Sequence, residues 1–104
     1  MHKKTLYVRK IRSPFGAAKG LIGKQTPFAI LIYTRWGIHT FGMRYPIDVL
    51  VLNNKQTIVA LKEHLKPNRI FVWNPLFTTL IELPKNTIQK KRLSIGQKII
   101  IKEG

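Results

Sequence analysis

The sequence predicts a mainly β fold: a compact, single-domain sandwich or barrel-like arrangement of seven to eight short strands over residues 1–104, with one or two short helices. Two observations predict it. Apolar runs rich in Ile, Val, Leu and Tyr recur about every ten residues, separated by Asn, Gly and Pro signals. No segment sustains a helical period long enough to supply the crossovers of parallel βαβ units.

Thr5 to Ile11 reads as the first strand. Ser13-Pro14 then starts a short helix, with serine as cap and proline at the first helical position, and Gly16, Gly20 and Gly23 keep it to a few turns. Lys24 to Pro27 is a loop. Phe28 to Tyr33 is continuously apolar, as in a strand covered on both faces. After a turn near Arg35-Trp36-Gly37, Ile38 to Met43 reads as extended, and Ile47 to Leu52 as the central strand. Asn53-Asn54-Lys55 turns the chain, because asparagine tolerates left-handed backbone, and Thr57 to Leu61 returns as a hairpin partner. Lys66-Pro67-Asn68 is a loop, followed by strands at Ile70 to Trp73 and Thr78 to Leu83. Asn86-Thr87 opens a helical turn through Lys91, with Thr87 as its cap. Gly96 then turns into a closing strand, Lys98 to Lys102.

A chain of 104 residues with 44% hydrophobic composition has material for one core without staples. No cysteine is present, which removes disulfides, thiolate ligands and thiol nucleophiles and fits a reducing compartment. The basic start is followed by only a few apolar residues before Arg9 and Lys10, too few for the apolar region of a secretory signal. The apolar runs are also far shorter than a bilayer span. The expected location is cytoplasmic.

Charge is lopsided, with 19 Lys and Arg against 4 Asp and Glu, for a net +15. No acid precedes Asp48. Such a field attracts polyanions, nucleic acid first among them. The plainer alternative is a solvated, self-repelling surface.

His39-Thr-Phe-Gly-Met-Arg-Tyr-Pro-Ile-Asp48, running into Val49 to Leu52, sets a histidine, an arginine and a carboxylate against a buried strand. With Lys19-Gly20-Leu21-Ile22-Gly23, Lys66-Pro67, Leu80-Ile-Glu-Leu-Pro84 and Ile95-Gly96-Gln97 in order, this motif resembles the domain of unknown function 192 family, from about Leu6 to Ile101. The resemblance implies a compact β-rich fold and no established activity. Three positions depart from the family pattern: Ile22 stands for methionine, Asn86 for glycine and Gln97 for aspartate. Asparagine replaces a left-handed glycine cheaply, whereas Gln97 removes a carboxylate.

His39, Arg44, Asp48 and Glu82 form a candidate pocket for an anion. The competing reading makes Asp48 and Glu82 structural carboxylates that anchor turns. Asp48 shares a face with Leu50 and Leu52, so it needs a partner. Arg44 lies about 13 Å away along a straight strand, so the partner is Arg44 across a bend, a backbone amide, or a cation from another strand. His2, His39 and His64 are too scattered for a metal site, and no P-loop or nucleophile elbow appears, so neither metal nor cofactor is expected. Most aromatics fall in strands and read as core. Arg35 and Trp36, in an exposed turn, are the candidate nucleic-acid contact.

These residues point first to a non-enzymatic binding or scaffold domain whose ligand and oligomeric state stay open. A nucleic-acid-binding module is the alternative, and a small anion-binding or hydrolytic pocket comes third.

Overall fold

Eight strands and one short helix organise residues 3–11, 29–35 and 37–103, which are those described by the computed structural model. In chain order they are β1 (Lys3–Ile11), β2 (Ala29–Tyr33), β3 (Gly37–His39), β4 (Ile47–Leu52), β5 (Ile58–Leu65), β6 (Ile70–Val72), β7 (Thr79–Pro84), α1 (Thr87–Lys91) and β8 (Lys98–Glu103). The expected helix after Ser13, the segment Lys19 to Gly23, the loop Lys24 to Pro27 and Trp36 lie outside the described residues.

Six strands form one sheet in the order β5-β4-β7-β2-β1-β8, and β3 pairs with β6 as a separate ribbon. The two outer strands of the sheet meet at one end. Thr57 bridges Lys98, the Ile58 N–H donates to the Gln97 carbonyl at 2.8 Å, and the Ile99 N–H donates to the Gln56 carbonyl at 2.8 Å. The sheet thus curls into a barrel-like body, as the regular strand spacing implied.

Both faces of the sheet are dry along β2, β4 and β7, which explains the unbroken apolar runs of β2 and β4. Leu6, Val8, Leu31, Leu50, Leu52, Ile81 and Ile99 fill one side, with Ile88 of α1 and Leu93 packed against them. Ile30, Ile32, Ile47, Val49, Val51 and Leu80 fill the other. There Ile38 and Phe71 of the ribbon, with Trp73 and Phe77, cover them. Gly37 lets the ribbon strands approach this closely, since a Cβ there would sit 2.5 Å from the Phe71 carbonyl oxygen.

Four local expectations are corrected. β1 runs parallel to both its neighbours, β2 and β8, although the sequence offered no long helix. Residues 12–28 lie between β1 and β2, and a parallel crossover takes a dozen or more residues. The extended piece from Ile38 ends at His39, because the chain turns through Phe41 and Gly42, whose φ is 81°. In the β4–β5 turn the left-handed residue is Gln56; Asn53 works instead through its side chain, accepting from the Lys55 and Thr57 amides. Finally, Asn86 rather than Thr87 occupies the helix cap, in left-handed backbone (φ 71°), and Thr87 donates its hydroxyl to the Pro84 carbonyl at 2.6 Å.

Candidate functional site

Asp48 is fully buried, and backbone amides are its partners. The β4–β5 register sets Ile47 opposite Leu65 and Val49 opposite Lys62, so Glu63 and His64 together oppose Asp48. That extra residue is a bulge, and a bulge leaves an amide outside the ladder. Asp48 Oδ1 accepts this amide from His64 at 3.0 Å, with His64 in left-handed backbone (φ 53°). Asp48 Oδ2 accepts the Ile88 N–H at 2.9 Å. Since Asn86 makes no side-chain cap bond, Asp48 caps α1 from a distant strand.

Thr40, from the same motif, is also fully buried. It knots the loop after β3 to the loop after β5. Its hydroxyl donates to the Lys66 carbonyl at 2.6 Å and accepts the Arg69 N–H at 2.9 Å. Its backbone N–H donates to the Arg69 carbonyl, and its carbonyl accepts the Asn68 N–H. Thr40→Val keeps the shape and strips the hydroxyl, leaving a buried donor and acceptor unmatched. Chemical denaturation should show a loss of about 1–3 kcal/mol.

Glu82 sits on β7 opposite Val49 of β4 and Ile30 of β2. Alternation turns it toward the ribbon-covered face, opposite to Asp48. It is 3% exposed, its Oε1 has no hydrogen-bond partner, and burial pushes its pKa up to about 7. Asp48 and Glu82 therefore occupy neighbouring strands but opposite faces.

His39 and Arg44 are exposed. The His39 ring stacks on Phe41, with centroids 4.8 Å apart, and its Nδ1 accepts the Phe41 N–H at 3.3 Å. Arg35 is exposed just before the ribbon. The outer side of the ribbon is apolar: Ile70 and Val72 are each 66% exposed, and Phe41 is 49% exposed. Tyr7, Tyr33 and Tyr45 are also exposed, so fewer aromatics are core than the strand pattern suggested.

Beside Ile70 lies a hollow of about 340 Å³ lined by Lys62, His64, Leu65, Lys66 and Arg69. Its cations were invisible to motif reasoning, because they only meet once the bulge and the Thr40 knot have formed. The His64 ring Nε2 donates to Asn86 Oδ1, so this ring is oriented from α1. A second hollow, of about 390 Å³, is lined by Lys4, Thr5, Lys90, Lys91 and Arg92. Among the described residues no three His, Asp or Glu side chains are grouped to hold a metal ion, and no helix is long and apolar enough to cross a membrane.

The sequence profile of the domain of unknown function 192 family, described as "Uncharacterized ACR", matches residues 1–101. No curated protein matches the chain. Two crystal structures share its fold. One is a candidate transcription regulator from Sinorhizobium meliloti 1021, 20% identical with a TM-score of 0.73, covering 86% of this chain and 76% of that one. The other is a protein of unknown function from Novosphingobium aromaticivorans DSM 12444, 10% identical with a TM-score of 0.72, covering 86% of this chain and 70% of that one.

Proposed function

The chain belongs to the domain of unknown function 192 family, and from that premise we propose that it is a non-enzymatic binding domain whose ligand is single-stranded nucleic acid. One observation carries this reading. Of the four acidic residues, Asp48 and Glu82 are inside, so the surface acids are Glu63 and Glu103 against 19 Lys and Arg in the sequence. Lys10 engages Glu103 at 3.1 Å, and that contact raises the lysine pKa through its hydrogen bond and charge. The exterior potential is therefore more one-sided than the composition alone implies.

The stacked His39–Phe41 pair offers planar faces on which bases can stack, with Arg35 just before the ribbon and the cations of the β5–β6 loop just before β6. Trp36 belongs to the same turn by sequence. Cations to track phosphates and planar groups to stack bases are the two requirements of sequence-tolerant strand binding.

Binding of single-stranded DNA and RNA, followed by fluorescence anisotropy at several salt concentrations, tests it. Affinity should fall steeply with salt. Trp36→Ala or Phe41→Ala should each weaken binding by about 5- to 150-fold, the range for one lost stacking contact. Binding that is weak and indifferent to both substitutions would retire the reading.

A further inference from the structure

The His39–Asp48 motif supplies two fully buried polar side chains, and both hold the segment that carries the Lys62–Arg69 hollow. Asp48 takes the His64 amide, while Thr40 fixes the backbone of Lys66, Asn68 and Arg69. Asn86 orients the His64 ring. Buried groups bind the backbone of three lining residues here, His64, Lys66 and Arg69, whereas behind the hollow lined by Lys4, Thr5, Lys90, Lys91 and Arg92 Asp48 acts only through Ile88, which is not part of the lining. Preorganisation matters for an anion because the cations need not be gathered at the moment of binding.

We propose that the hollow lined by Lys62, His64, Lys66 and Arg69 binds a phosphate monoester, with the motif residues Thr40 and Asp48 as positioning residues behind it. This deepens the function proposed above by giving the bound strand a polarity: the hollow takes a terminal phosphate while the ribbon takes the adjoining bases. Arg69 supplies the planar fork that pairs with two phosphate oxygens. Lys62 and Lys66 supply point charges, and His64 lines the hollow with a ring held in place by Asn86. A volume of about 340 Å³ has room for one phosphate with its sugar.

Free phosphate and a strand end present the same chemistry, so the experiment separates them. Anisotropy compares one single-stranded oligonucleotide with and without a 5′-phosphate, and NMR follows inorganic phosphate added to the protein alone. A strand-end site predicts about tenfold tighter binding of the phosphorylated strand, the gain expected from charge-assisted contacts. That preference should vanish in Lys66→Ala/Arg69→Ala and survive in the charge-matched control Lys90→Ala/Lys91→Ala. The first variant keeps its fold because Thr40 grips only the backbone at positions 66 and 69.

Saturable shifts at His64 with inorganic phosphate, lost in Lys66→Ala/Arg69→Ala, would support the phosphate site even if neither oligonucleotide bound, and the strand-binding reading alone would fall. The same shifts with equal binding of both oligonucleotides would assign the hollow to free phosphate. Equal binding of both strands with no saturable phosphate response overturns the hollow while sparing the ribbon. A Thr40→Val variant that stays folded should lose the phosphate preference but keep its salt slope, which a purely structural threonine would not do.

Discussion

Glu82 should withdraw about 3 kcal/mol of stability from the fold as pH rises from about 4.5 to about 7, because it resists ionisation inside the core. The sign follows from proton counting. Burial raises the folded-state pKa from 4.5 to about 7, so in that window the folded chain holds a proton that the unfolded chain has released. Stability from this group is complete below the lower value and is lost as pH passes the upper one. Other groups titrate in the same range, so the measurement is a difference. Urea unfolding of the wild type and of Glu82→Met at pH 4, 6 and 8 isolates the one carboxyl. Methionine nearly matches the volume and removes the orphaned oxygen, and the variant should exceed the wild type by about 3 kcal/mol at pH 8 but by much less at pH 4. Parallel curves would mean that Glu82 ionises freely where it sits.

Asp48→Asn should destabilise the fold by about 2–4 kcal/mol, even though the two side chains are isosteric. Both carboxylate oxygens accept backbone N–H groups, from His64 and from Ile88. Asparagine has a single acceptor, so one of those amides would face an NH₂ group, donor against donor, in a site without water access. The same substitution loosens two elements together, the bulge in β5 and the first turn of α1. A drop in denaturation midpoint with an unchanged m-value is the expected signature. A variant that melts like the wild type would remove the structural role of this carboxylate.

Much of the sheet could be read from residue types. β4 spans the stretch that reads as the central strand, and Asn86 adopts the left-handed backbone expected where the family resemblance implies glycine. Regular spacing also implied a closed or sandwiched sheet. Local pattern failed where distance along the chain decides the outcome. Parallel pairing of β1 depends on strands far away in sequence, and nothing in the alternation of Leu6 and Val8 distinguishes a parallel neighbour from an antiparallel one. Asp48 was recognised as needing a partner, but its partners became definite only with the two-against-one register of β5. Thr40 gave no signal at all, since a threonine after a short strand resembles any other until the loop that follows β5 folds back onto it. Gln97, which stands where the family resemblance implies an acid, braces its own turn by donating to the Arg92 carbonyl and accepting the Ser94 amide.

The pairing of Lys3 with Lys98 joins segments that lie nearly a whole chain apart. During synthesis β1 leaves the ribosome long before the neighbour on its outer flank is made. Contacts of such long sequence separation slow folding, since the closure entropy is spent before any bonding returns. Until β8 arrives, β1 presents an open hydrogen-bonding edge, and the nascent barrel is most exposed to mispairing in that interval. The dense positive charge along Lys3, Lys4, Arg9 and Lys10 would keep two such unfinished chains apart while each waits for its own β8.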